Sequence, residues 1–188
     1  MDLKTNQHNV TEWVQAYSDI MYGYVVKRVK DNDTAKDLIQ ETFLAAWRNV
    51  DKYNGEASVK TWLFTILKNK IIDHYRKVST RHIEELVNGA TDDDSRHFDN
   101  IGHWTEDTYP SELGNLPIES KEFYSILNNG IKKLKGIQAI VFSMKYLDEM
   151  KSEEICKVLN ITSSNYWVLI HRAKVDLRAY LELNWILK

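Results

Sequence analysis

Residues 33–47 read DTAKDLIQETFLAAW, and the spacing of apolar side chains in that run decides the fold. Leu38, Ile39, Phe43, Ala46 and Trp47 recur at three- and four-residue intervals, the period of one helix face. Asp31, Asn32 and Asp33 come just before it. Their short side chains can accept hydrogen bonds from the free amides of a helix start, and they end any helix that precedes them. Asp37, Gln40, Glu41 and Leu44 stand at i, i+3, i+4 and i+7, so they share a face, expected opposite Phe43 and Trp47. Taken alone, such a face is a charged surface in contact with solvent.

Upstream, Val10, Trp13, Val14, Tyr17, Met21, Tyr24 and Val25 follow the same rule and predict a first helix. Downstream, residues 51–58 read as a loop around Gly55. A third helix is expected over about 58–77, with Trp62, Leu63, Ile66, Leu67 and Tyr75 turned inward. No segment alternates as a strand would. From Ser79 to Glu119 the periodicity stops, an aspartate run (Asp92, Asp93, Asp94) appears, and both prolines, Pro110 and Pro117, fall here. That stretch reads as an extended linker. Beyond it, Phe123, Ile126, Leu127, Ile131 and Leu134 fit one helix, and Ile140, Val141, Met144 and Leu147 the next. The expectation is all-α: a three- or four-helix bundle over 8–78, an acidic linker over 79–119, and a second small helical domain over 120–185.

Charge sharpens this division. The 188 residues carry a formal net charge of -2, which by itself argues against a nucleic-acid partner. By segment, residues 1–78 hold 12 basic and 10 acidic side chains, residues 79–119 hold 2 and 10, and residues 120–188 hold 11 and 7. Two mildly basic modules flank a strongly acidic one, a pattern that the whole-chain charge conceals. The polar N-terminus lacks the apolar run of a signal peptide, no stretch nears the roughly 20 apolar residues of a membrane span, and a cytoplasmic location is expected. Cys156 is the only cysteine, so no intrachain disulfide or cysteine-rich zinc site is possible; it reads as a small apolar filler. His97 and His103 are too sparse for a metal. With no phosphate loop, nucleophile motif or paired carboxylates on a rigid element, neither enzyme chemistry nor a cofactor is expected.

The C-terminal part carries a more specific pattern. Ser152 can cap a short helix, 153–159, whose first turn bears Glu153 and Glu154, well placed against the helix dipole. The chain turns at Asn160-Ile161-Thr162, and Thr162 can cap a longer helix carrying Ser163, Ser164, Asn165, Tyr166, His171, Arg172 and Lys174. A short helix, a tight turn and a second helix form the helix-turn-helix pattern, in which Arg172, Lys174 and Arg178 would serve DNA. An ordinary helical hairpin with a solvated basic face fits the same residues, and the pattern alone does not choose.

A family resemblance chooses. The run from Asp33 to Trp47 resembles sigma region 2.2, "D-A-x-D-L-x-Q-E-x-F-L-x-x-W", and the run from Lys60 to Asn69 resembles the "x-T-W-L-x-x-I-A-x-N" stretch after it, continued by Asp73, Tyr75, Arg76 and Lys77. The run from Glu153 to Thr162 looks like the first helix and turn of region 4. His171-Arg172-Ala173-Lys174, then Leu177, Arg178 and Leu181, is similar to that region's closing signature. Two signatures in the right order, with a linker between them, resemble a small bacterial sigma factor of the extracytoplasmic-function (ECF) type.

The resemblance implies partners and roles. RNA polymerase core and promoter DNA are the partners, with room for an anti-sigma factor or an accessory DNA-targeting protein. Asp37, Gln40, Glu41 and Leu44 would dock on the polymerase. Asn54, Gly55, Ala57 and Ser58 would form a pocket for an extruded base of the -10 element. Thr61, Thr65, Lys68, Asn69 and Arg76 would track the single strand, while Trp62 is expected to be core that buttresses the loop. The acidic linker, with Phe98 and Trp104 as anchors, would lie in the polymerase's nucleic-acid channels, or serve only as a tether. Ser163, Ser164, Asn165, Trp167, Val168, His171, Arg172 and Lys174 would face the -35 element. Here the chain departs from the family, because Trp167, Val168 and Leu169 stand where polar or basic base-reading residues are usual. Apolar contacts can read thymine methyl groups, or this surface can contact a protein. A helix-turn-helix regulator acting without polymerase would account for the C-terminal half but leave Asp33 to Trp47 unexplained.

Overall fold

In the computed structural model, residues 3–29, 31–87 and 121–186 are described, with side chains over 11–29, 31–80 and 121–185. The expectations for Val10, for the Asp92–Asp94 run, for His97, Phe98, His103 and Trp104, and for both prolines lie outside those side chains. Among the described residues all regular structure is helical. The chain divides into two compact units, Met1–Tyr75 and Arg76–Lys188.

The first unit contains α1 (Leu3–Val25), α2 (Asn32–Arg48), a 3-10 turn (Val50–Lys52) and the start of α3 (Val59–Val87). Asp31 starts α2: its Oδ2 accepts from the Thr34 amide and the Thr34 hydroxyl, both at 2.7 Å. The inner face of α2 buries Ala35, Leu38, Ile39, Thr42, Phe43 and Ala46. Thr42 is tolerated there because its hydroxyl donates to the Leu38 carbonyl at 2.7 Å. Met21 and Val25 of α1 and Leu63, Leu67, Ile71 and Tyr75 of α3 complete the core. Tyr75 is buried because its hydroxyl donates to Arg28 O at 3.2 Å. In α1, Trp13 takes the inward place and Val14, expected inward, stays 39% exposed. The third helix also runs ten residues beyond the expected end at Lys77, to Val87, so the start of the acidic stretch is helical.

The second unit contains α4 (Lys121–Lys133), α5 (Gly136–Tyr146), α6 (Ser152–Leu159), α7 (Ser163–Leu181) and a π turn (Glu182–Ile186). Helix α5 is buried nearly all round, through Ile137, Ala139, Ile140, Val141, Phe142, Ser143 and Met144, as a helix apolar on every face must be. Helix α7 packs on α4, α5 and α6 with Tyr166, Leu169, Ile170, Ala173 and Leu177 inward. Between α6 and α7, Asn160 adopts the left-handed conformation (φ 54°), and the Ile161 amide donates back to Cys156 O at 3.1 Å. This is the Schellman closure, with asparagine where glycine is more usual. Thr162 Oγ1 then accepts from the Asn165 amide at 3.2 Å and starts α7. Ser152 does not cap α6 as expected. It is the first helical residue, after Lys151, and its hydroxyl bonds to Tyr166 instead.

The crossing of α4 and α7 depends on Gly130. A Cβ at that position would meet Leu177 Cδ1 at 2.7 Å and Tyr180 Cδ1 at 2.9 Å. Replacing Gly130 with Val should therefore force the helices apart and destabilise the chain by about 1–3 kcal/mol, measured as a lowered urea midpoint of the α-helical signal.

Candidate functional site

Three surfaces carry the residues singled out above. On α2, Asp37, Gln40, Glu41 and Leu44 are all exposed on one face. Trp47 was expected inward with Phe43, and the structure corrects this: Trp47 is 48% exposed and Leu44 50%. The geometry explains it, since Trp47 lies three residues past Leu44 and seven past Gln40, on their side of the helix. The surface is thus an apolar pair, Leu44 and Trp47, beside a carboxylate group. Glu41 accepts from Lys70 Nζ of α3 at 3.0 Å, a partly exposed pair worth little in stability but enough to orient the carboxylate.

The loop 53–58 is built from its own side chains. Gly55 has φ 76°, a left-handed conformation that few other residues tolerate. Asn54 Oδ1 accepts from the Glu56 amide at 3.2 Å, closing an Asx turn. The Tyr53 hydroxyl donates to Ala57 O. Ser58 caps α3, accepting from the Thr61 amide at 3.2 Å while its oxygen lies 2.9 Å from Thr61 Oγ1. Asn54, Gly55, Ala57 and Ser58 are exposed. Beneath them, Tyr53 stacks on Trp62 (4.8 Å, 29°) and Trp13 meets both rings edge-on. Trp62 is accordingly a half-buried support for the loop.

Along α3, Thr61, Thr65 and Lys68 come together with Lys60 and Phe64 around one shallow concavity of about 420 Å³. The Thr65 hydroxyl donates to Thr61 O at 2.9 Å. Phe64 is fixed from behind by the edge of Tyr24 at 5.4 Å, and the Arg28 guanidinium lies over the Tyr24 ring. Asn69 and Arg76 are exposed further along the same helix. Sequence reasoning missed Lys60 and Phe64, although with Lys68 they stand at i, i+4 and i+8. It marked Tyr53 only as the start of the loop, since no periodic signal pointed to its stacking on Trp62.

On α7, Ser163, Ser164 and Asn165 are exposed in the first turn, and Trp167 and Val168 are 45% and 39% exposed. Leu169, grouped with them by the sequence, is 1% exposed and belongs to the core, as does Tyr166. His171, Arg172 and Lys174 are half-buried. Burial, then the nearby Lys174 charge, holds the His171 imidazole below its ordinary pKa. Burial also lowers Lys174, with Lys145 adding to it. Both side chains are thus half-buried rather than freely solvated. Among the described residues no cluster of histidine, cysteine and carboxylate side chains is arranged to hold a metal, and no helix is long and apolar enough to cross a membrane.

Residues 13–81 match Sigma-70 region 2, and residues 126–177 match Sigma-70, region 4. A "Probable RNA polymerase sigma factor" of Haemophilus influenzae is 36% identical over 160 residues, spanning 84% of this chain and 82% of that protein. The "ECF RNA polymerase sigma factor SigM" of Bacillus subtilis is 28% identical over 90% of this chain and 93% of its own length. A solved structure of the sigma factor RpoE of Bartonella quintana, in complex with the anti-sigma factor NepR, covers 94% of this chain and 98% of that one, at 18% identity and a TM-score of 0.43. The chain belongs to the sigma-70 family, and within it to the ECF sigma factors.

The depressed His171 pKa has a consequence for stability. Below its ordinary value of 6.5 the unfolded chain takes up the proton before the folded one does, so stability falls as pH drops through that point. His171→Gln should flatten that decline between pH 7 and 5.5, read from urea midpoints at each pH.

Proposed function

We propose that this chain binds RNA polymerase core, directs it to particular promoters and opens the DNA strands there, and performs no reaction of its own. The observation that carries this is the ordered pair of region 2 and region 4 matches, on a chain spanning most of its relatives' length. A regulator without polymerase contact would need only the second. Polymerase core and promoter DNA are the partners, and the cytoplasm, where both reside, is the location. An anti-sigma factor or an accessory DNA-targeting protein fits as a further partner.

The α2 face of Asp37, Gln40, Glu41 and Leu44 docks on the polymerase. Its composition calls for a basic helical surface with an apolar seam, because carboxylates flank an exposed tryptophan and leucine. The loop of Asn54, Gly55, Ala57 and Ser58 receives an extruded base of the -10 element. The Gly55 turn and the stack of Tyr53 on Trp62 fix the backbone that would meet that base, so little ordering of the loop opposes its capture. Thr61, Thr65, Lys68, Asn69 and Arg76 guide the displaced strand. Ser163, Ser164, Asn165, Trp167, Val168, His171, Arg172 and Lys174 face the -35 element. We assign residues 8–78 and 120–185 to these two functions, and the acidic stretch of 79–119 to the polymerase's nucleic-acid channels, where its charge of -8 mimics a transcript.

Four experiments test these roles. Co-purification with core polymerase should be stoichiometric. Asp37→Lys with Glu41→Lys should weaken it by about 2 kcal/mol or more with helicity unchanged, and unchanged binding would remove the docking role. Trp47→Ala, which removes the largest apolar side chain of the same face, should cost a similar amount. Bulky substitutions at Asn54 and Ser58 should leave core association intact but abolish permanganate reactivity of promoter thymines.

A further inference from the structure

We infer that α7 reads thymine methyl groups in the major groove through Trp167 and Val168, so that the upstream promoter element is selected by apolar contact. The inference rests on the assignment of α7 to promoter DNA and supplies the chemistry of that contact.

The rotation of α7 is set by its core side, where Tyr166, Leu169, Ile170, Ala173 and Leu177 are buried. On the opposite side Ser164, Trp167, Val168 and Arg172 follow at i, i+3, i+4 and i+8, one continuous face. At its middle stand two apolar side chains, not hydrogen-bonding ones. Trp167 is not loose: its ring lies 5.4 Å from Tyr166 and 5.6 Å from His171, so one orientation is held before any partner arrives. Less conformational freedom is then lost on contact.

Charge selects the occupant. From Ser163 to Val175, α7 has no carboxylate, while Arg172 and Lys174 are basic. That balance favours a polyanion along α7 itself, the carboxylate that acts on Tyr166 being Glu153 of α6. Of the four bases, only thymine shows a methyl group in the major groove, beside its O4 acceptor. Val168 has no polar atom and Trp167 only one N–H donor, so both match the thymine edge and leave the hydrogen-bonding edges of guanine and cytosine unanswered.

The test uses the full chain assembled with polymerase core. Holoenzyme is selected on duplexes randomised upstream of a premelted bubble, so that upstream recognition is scored apart from strand opening. Thymine should be enriched at two adjacent positions. Replacing those thymines by deoxyuridine, which removes only the methyl, should weaken binding about four-fold per methyl, the worth of one buried carbon. The double variant Trp167→Ser, Val168→Asn, which presents no methyl, should bind thymine and uracil duplexes alike, whereas Val168→Thr, which keeps a methyl, should still discriminate. Circular dichroism checks that these exposed substitutions leave the fold intact. Equal binding of thymine and uracil duplexes by the unaltered protein overturns the inference, as does an equal loss on both duplexes in the variants. It is overturned too if the variants bind DNA normally but lose a co-purifying protein. Should holoenzyme form and yet ignore the methyl, only this inference falls; should no holoenzyme form, the functional assignment falls with it.

Discussion

The burial of one face of each short helix is the constraint on which the rest depends. Helices of eight to nineteen residues, such as α4 to α7, are marginal in water by themselves, and tertiary packing holds them. Once Tyr166, Leu169 and Ile170 must lie inward, the angle of α7 about its own axis is no longer free, and the identity of its outward residues follows. The same holds on α2, where Leu38, Ile39, Phe43 and Ala46 claim one side and thereby present Asp37, Gln40, Glu41, Leu44 and Trp47 on the other. In both units the candidate functional surface is what core formation leaves over.

Much of this was legible in the sequence, because capping and periodicity are local. The Asp31 and Thr162 caps, the α2 stripe, the turn at Asn160 and the all-α class follow from residues within a few positions of one another, whereas the family resemblance was needed to tell the helix-turn-helix from a plain hairpin. The supporting role of Trp62 could also be read, since an aromatic residue on the inward line beside a glycine loop has a neighbour to brace. The family resemblance itself rested on four such local runs, two to each region, and the matched regions contain them except for Arg178 and Leu181 at the end of the last.

What escaped is angular or distant. Trp47 stands four residues past Phe43, so the stripe placed it with the core, although it stands equally on the line of Gln40 and Leu44 and is exposed with them. Leu169 erred the other way, as alignment to a motif ignored that it sits on the line of Tyr166 and Ala173. Charge misled at the end of α3: the approach to the acidic stretch read as linker, yet the backbone stays helical to Val87. Ser152 illustrates competition for a single hydroxyl, which pairs with Tyr166 across the unit rather than with its own helix start. Gly130 shows why such things cannot be read locally, since what it makes room for lies some fifty residues away.

Cys156, the lone thiol of the chain, is half-buried in α6, and burial raises its pKa while the Ser163 side chain hydrogen-bonds it. Thiolate, not thiol, attacks electrophiles, so at neutral pH the native sulfur is a sluggish target. A cysteine introduced on any of the outward faces would therefore react first. The molecule thus offers one slow native thiol as background, against which dyes or crosslinkers on those faces can report, position by position, on its neighbours in an assembled complex.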